Sequence, residues 1–134
     1  MLTPEEVFRL HPKIRWAALS RESGMVVFSQ MRPGVGSYTS DAEDRAFMEM
    51  GPLLMTGLAL RLTPNGKAGR LAYVLAYFEK DCVLMAKVED GFLALSVDTT
   101  DALQAFHELE RDILRLANLP LETGADSVGQ AVLQ

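Results

Sequence analysis

The feature that most constrains this chain is a long helix that is apolar on two sides. Ser40 and Glu43 form a capping box, and the helix that follows is predicted to run from Asp41 to about Leu62. One line of apolar residues along it comprises Phe47, Met50, Leu54 and Leu58, and a second comprises Met48, Met55, Ala59 and Leu62. A helix that rests on a sheet needs only one apolar stripe, so a single small sheet can cover only one of these lines.

The third of five predicted strands carries the same apolar excess. In this strand, over residues 70–78, tyrosines and leucines alternate with alanines and valines, so both faces are apolar. An edge strand of this kind is an aggregation hazard unless it is paired. A homodimer with two-fold symmetry, formed by the long helix and this strand, would bury the remaining apolar surface of both elements. The predicted dimer interface consists of Met48, Met55, Gly57, Leu58, Ala59, Leu62, Leu71, Tyr73, Leu75 and Tyr77.

The other elements are shorter. Thr3 and Glu6 predict a capped helix that Pro12 ends. The remaining strands are predicted over 14–20, 25–31, 82–88 and 92–97, with Ile14, Trp16 and Ala18 on one face of the first. A last helix is predicted from near Asp101 to Asn118, with its apolar face formed by Leu103, Phe106, Leu109, Ile113 and Leu116.

Pro52 is expected to kink the long helix. The order α-β-β-α-β-β-β-α predicts an α/β (α+β) fold, with helices on the faces of a five-stranded antiparallel sheet.

Length and composition predict one domain. The chain has 134 residues, of which 49% are hydrophobic, and we assign residues 3–118 to the domain and 119–134 to a loosely structured tail. No apolar run has the ~18–20 residues that a membrane span needs, and the first residues have no basic region typical of a secretory signal. A lone cysteine, Cys82, favours the cytoplasm. The net charge of −5 argues against nucleic-acid binding.

Signals for catalysis are sparse. Gly34 and Gly36 form a lone GxG fragment without the remainder of a phosphate-binding motif. His11 and His107 lack partners at metal-ligand spacing, and Cys82 is expected to be a small buried side chain rather than a nucleophile. The sequence therefore predicts no catalytic residue, no cofactor and no metal.

The element order and several segments resemble the roadblock family, which includes dynein light chains, scaffold subunits that bind small GTPases, and bacterial polarity regulators. The matching segments are 16–20 and 24–27 in the opening hairpin, the Met-rich helix, and 86–95. The resemblance covers about residues 3–118, and related longin and profilin-like folds share this layout. It implies a homodimer formed through the long helix and third strand, which docks another protein such as a small GTPase. Pro52 and the C-terminal tail depart from the family pattern.

Two other functions stay open. Sheet-plus-helix folds of this size can hold a pocket, and Trp16, Phe28 and Phe92 could line one in a small-ligand sensor. An unrecognised enzyme is the third possibility. A melting temperature that rises with a small ligand alone would favour the sensor, whereas co-purification with a GTPase in one nucleotide state would favour the scaffold.

Overall fold

The computed structural model describes residues 1–62, 67–89 and 91–119. Its elements are α1 (Pro4–Leu10), β1 (Ile14–Arg21), β2 (Val26–Met31), α2 (Asp41–Leu62), β3 (Tyr73–Tyr77), β4 (Asp81–Val88), β5 (Gly91–Asp98) and α3 (Thr99–Leu116). The predicted order and the antiparallel sheet are confirmed. The turn predicted at 63–66 and, apart from Leu119, the predicted tail lie outside the described residues.

The sheet has the strand order β2-β1-β5-β4-β3, with every neighbouring pair antiparallel. Two hydrophobic cores lie on its two faces. Helices α1 and α3 pack on one face, where Val7 and Leu109 are buried. Helix α2 packs on the other face, where Met48, Met55 and Met85 are buried with Trp16. The connection from β2 to β3 through α2 leaves these two strands as the edges of the described sheet.

Two capping boxes fix where helices begin. The Thr3 side chain accepts a hydrogen bond from the Glu6 amide at 3.2 Å, and Glu6 accepts one in return from the Thr3 amide. Ser40 and Glu43 make the same reciprocal pair at 3.1 and 3.0 Å. Helix α2 then continues through Pro52 as one 22-residue element. Among the described residues, no helix has the length and apolar content needed to cross a membrane.

The predicted faces of β1 need a correction. The pairing of β1 with β5 shifts register between Ile14 and Trp16. As a result, Ile14 is buried on the α1/α3 face, while Trp16 and Ala18 are buried beneath α2. The prediction that these three side chains share a face is wrong because a bulge inserts one extra residue and turns the following side chains to the other face.

The predicted start of α3 and one residue of its apolar face, Leu103, need a correction. The helix begins at Thr99, and its cap is Asp98, whose carboxylate accepts from the Thr100 amide at 3.0 Å. The side chain of Leu103 is 89% exposed. The fully buried residues are the predicted Leu109 and Ile113 together with the alanines Ala102 and Ala105. Phe106 and Leu116 are partly buried against the same core, so the predicted face is confirmed except for Leu103.

Arg32 joins α1 to the sheet. Its guanidinium donates hydrogen bonds to the carbonyl oxygens of Phe8, His11 and Ile14 at 2.7–2.8 Å and lies 5.0 Å from the centre of the Phe8 ring. We expect Arg32→Gln to lower the free energy of unfolding by about 2–3 kcal/mol, because the shorter neutral amide leaves part-buried carbonyls without donors. Urea denaturation measures this, with Arg21→Gln at the exposed end of β1 as the matched control. Equal effects of the two substitutions would contradict the prediction.

Candidate functional site

Helix α2 has one buried and one exposed apolar side. Met48 and Met55 are 1% and 2% exposed and pack on the chain's own sheet. On the opposite side of the helix lies a stripe that we call the outer stripe. Its members are Met50, Leu53, Leu54 and Leu60, which are 58–73% exposed, with Gly57 between them. The spacing of three and four residues places these positions in one row along the helix. The sheet therefore covers only one of the two apolar sides.

Gly51 explains which side of α2 faces the sheet. A Cβ atom at this position would lie 2.5 Å from both Sδ and Cε of Met85. Glycine therefore lets the helix backbone lie directly over the buried Met85 side chain of β4. At Gly57, by contrast, an added Cβ would meet nothing within 4 Å. The two glycines mark the inner and the outer sides of the helix.

The predicted interface residues on α2 fall into three groups. Met48 and Met55 lie in the protomer's own core, so they have almost no surface left to offer a second copy. Leu58 and Ala59 are half-buried at the flanks. Gly57 and Leu62 are exposed. The large side chains of the outer stripe were absent from the predicted set, although the spacing of Met50, Leu53 and Leu54 was visible in the sequence.

Strand β3 forms an edge of the described sheet. It pairs with β4 from Tyr73 opposite Ala86 to Tyr77 opposite Cys82. Leu75 and Tyr77 are 47% and 64% exposed, and the Tyr77 hydroxyl donates to the Thr99 carbonyl at 3.1 Å. The other predicted interface residues of this region, Leu71 and Tyr73, are half-buried against the α2 core and the α1/α3 core, respectively.

A cavity of about 530 Å³ opens beside α2. Its apolar walls include Trp16, Phe47, Val83 and Phe78, and the Trp16 and Phe47 rings meet edge to face with centroids 6.2 Å apart. The predicted ligand-binding trio is wrong as a set. Trp16 lines this cavity, but Phe28 packs against the α1/α3 core, and Phe92 lines a separate, smaller pocket.

Polar groups converge at one end of this cavity. The Arg15 guanidinium lies 4.2 Å from the centre of the Tyr38 ring and donates to the Gly36 carbonyl. The Tyr38 hydroxyl donates to Asp98 at 2.7 Å. Together with the Thr100 hydrogen bonds, this contact lowers the pKa of the Asp98 carboxyl to about 2. Asp81 pairs with Asp98 across β4 and β5, and burial raises the pKa of the Asp81 carboxyl.

The side chains considered for catalysis occupy ordinary structural positions. Cys82 is fully buried, and burial together with the charge of Asp81 raises the pKa of its thiol to about 11. Such a thiol stays protonated near neutral pH, whereas the reactive form is the thiolate. His11 lies with its Nε2 3.2 Å from Glu108 Oε2, and His107 is exposed. Within 1–62, 67–89 and 91–119, no group of three or more His, Cys, Asp or Glu side chains could hold a metal.

The strand order and the helices on both faces of the sheet give an α+β fold of the kind found in roadblock/LC7 domains. Solved structures share this fold. "MglB with tetrameric arrangement" is 19% identical with a TM-score of 0.59, over 88% of this chain and 85% of that one. The gliding protein MglB from Thermus thermophilus is 17% identical with a TM-score of 0.59, and the match again covers 88% of this chain and 85% of that one. A roadblock/LC7 domain from Streptomyces avermitilis is 15% identical with a TM-score of 0.52, over 78% and 84%.

The expected resemblance is thus confirmed at the level of the fold. No protein-family model and no curated protein matches the sequence. At 15–19% identity, the structural likeness extends to the arrangement of helices and strands, and function needs its own argument because one fold hosts many functions.

Proposed function

We propose that this chain is a non-enzymatic, homodimeric regulator that acts in the cytoplasm and docks another protein, a small GTPase. The observation that carries the proposal is the outer stripe of α2 beside the open edge of β3. The functional unit is the single domain over residues 3–118. One buried thiol, Cys82, is consistent with a reducing compartment.

The two parts of this surface adjoin each other. Met50, the first residue of the outer stripe, and Phe78, which follows β3, line the same cavity. A second copy that pairs along the β3 edge therefore meets α2 as well. Complete burial of a leucine side chain is worth about 1.5–3 kcal/mol, so a stripe that includes Leu53, Leu54 and Leu60 can supply much of a dimer's stability.

A small GTPase is proposed as the partner because the sequence resembles the roadblock family, which includes scaffold subunits that bind such proteins. A neighbour of the same fold was solved as "MglB with tetrameric arrangement", which supports self-association as a property that this fold can have. The net charge of −5 favours a protein partner over nucleic acid.

We expect Leu54→Glu to weaken self-association by about 100-fold, because burial of the stripe would carry an unpaired carboxylate out of water. Light scattering at micromolar concentration should give twice the 14.8 kDa chain mass for the unchanged protein and a lower mass for the variant. The matched control is Leu103→Glu, since Leu103 is an exposed leucine on α3. A single-chain mass for the unchanged protein would contradict the dimer.

Docking of a GTPase needs a separate measurement. Small GTPases from the same genome would be purified, loaded with GDP or with a non-hydrolysable GTP analogue, and titrated against this chain. We expect one of them to bind with affinities that differ about tenfold or more between the two nucleotide states. Equal affinity in both states, or no binding by any of them, would contradict the GTPase proposal and leave the dimer proposal standing.

A further inference from the structure

The cavity beside α2 has the size and walls of a small-molecule site. Its volume of about 530 Å³ lies in the range of about 300–1,000 Å³ that is typical of ligand pockets. Trp16 and Phe47 form its inner wall with their rings in edge-to-face contact, and Val83 adds aliphatic surface. These walls suit an apolar body, such as an aromatic ring or a short hydrocarbon chain.

The charges that line the cavity favour a cation. Glu43, Asp44, Glu79 and Asp81 supply four carboxylates, against the two cations Arg15 and Lys80. One of these cations is already engaged, since Arg15 lies over the Tyr38 ring and donates to Gly36. Two of the carboxylates are also engaged, because Glu43 completes the α2 capping box and Asp44 accepts a hydrogen bond from Thr39.

Asp81 is a carboxylate that lacks a full set of partners. Its Oδ1 atom is buried and has no hydrogen-bond partner among the described residues. Its neighbour across the strands, Asp98, is a second carboxylate whose oxygens accept from Tyr38 and Thr100. Two like charges opposite each other on a sheet are unfavourable. Burial raises the pKa of Asp81, and the Asp98 charge adds to the rise, whereas Arg15 and hydrogen bonds from the Ser96 side chain and the Cys82 backbone oppose it. A cation beside the Asp81 carboxylate would offset the repulsion between the two acids.

We propose that this cavity binds a small organic cation, an amine with an apolar body. The ammonium group pairs with the Asp81 carboxylate at the cavity wall, and the apolar body packs against Trp16 and Phe47. The site lies on the same side of the sheet as the outer stripe and shares Met50 with it. A bound ligand would therefore lie where it can influence docking at α2.

The test uses three probes that differ only in the head group: phenylbutylamine, phenylbutanol and phenylbutyrate. Trp16 is the only tryptophan of the chain and lines the cavity, so its fluorescence reports binding at this site. We expect the amine to bind about tenfold more tightly than the alcohol, which equals about 1.4 kcal/mol, and the carboxylate to bind most weakly. Tighter or equal binding of the alcohol or the carboxylate, or no fluorescence change with any probe, would overturn the proposal.

A matched pair of variants assigns the contact. Asp81→Asn, which keeps the shape of the side chain, should reduce the affinity for the amine to that for the alcohol. Glu110→Gln removes one negative charge from the exposed surface of α3 and should leave both affinities unchanged. Equal losses in the two variants would mean that net charge rather than the cavity attracts the amine, which overturns the assignment. The titration is read from Trp16 fluorescence, whereas dimerisation is read from the mass and GTPase docking from its own titration, so failure of this proposal is distinguishable from failure of the proposed function.

Discussion

Gly91→Ala is expected to lower the free energy of unfolding by about 3–5 kcal/mol, because alanine introduces both a collision and an unfavourable backbone conformation. Gly91 lies at the start of β5 opposite Arg21 of β1, with φ at 157°. A Cβ atom there would collide with the carbonyl oxygen of Ser20 and would lie 2.9 Å from Cα of Arg21. Both obstacles are backbone atoms in the central strand pair, so they cannot move aside as the end of a side chain would.

Gly24→Ala is the control for the conformational part of this cost. Gly24 also has a positive φ, 94°, but an added Cβ would meet nothing within 4 Å. We expect it to cost about 1–2 kcal/mol from strain alone. Urea denaturation of both variants separates the collision from the strain. If Gly91→Ala were no more destabilised than Gly24→Ala, the close approach of β1 and β5 would be wrong.

The sequence was sufficient for the element order because local signals agree with one another in most of the chain. The capping boxes at Thr3 and Ser40 place two helix starts correctly, and both are confirmed by reciprocal hydrogen bonds. The end of α1 at Leu10 follows from Pro12 two residues later. These features act over three or four residues, so they can be recognised without knowledge of the tertiary structure.

The side of α2 that faces the sheet could not be predicted in the same way. The buried side of an amphipathic helix can be recognised because the other side is polar. Helix α2 lacks this difference, since the adjacent residues Leu54 and Met55 are both apolar although one is 58% and the other 2% exposed. The deciding feature is the close approach of Gly51 to Met85, two residues that are far apart in the sequence. Periodicity alone therefore leaves open which side of α2 faces the sheet, and the interface predicted from it includes the core residues Met48 and Met55 but not the large side chains of the outer stripe.

The cavity also could not be predicted from the sequence. Its polar end includes Tyr38 from the loop before α2 and Asp81 from the start of β4, and Tyr38 is hydrogen-bonded to Asp98 at the end of β5. No short motif connects these positions. The aromatic character of Trp16, Phe28 and Phe92 does not reveal which face of the sheet each side chain occupies. Phe28 then proved to lie on the other face of the sheet from Trp16, because it pairs with Leu19, which is buried on the α1/α3 side.

Leu75→Glu is expected to convert the proposed dimer into a single chain at micromolar concentration. Leu75 is the central residue of β3 and is 47% exposed in the protomer. If two copies pair along this edge, the two-fold axis passes near Leu75, and each glutamate faces its own copy. Like charges opposite each other repel, and burial between the two copies adds a desolvation cost. We expect the dissociation constant to rise about 100-fold or more, equivalent to about 3 kcal/mol.

The protomer should tolerate this change, since an exposed edge position leaves the new carboxylate in water when the chain is alone. Light scattering would measure the mass, and circular dichroism would verify that the variant melts as a folded protein. Lys80→Glu, in the exposed turn after β3, changes the net charge in the same direction but lies off the strand and should keep the dimer mass. A folded Leu75→Glu variant that retains the full dimer mass would show that β3 is covered in another way. The α2 outer stripe, tested by Leu54→Glu, would then have to hold the two copies together without strand pairing.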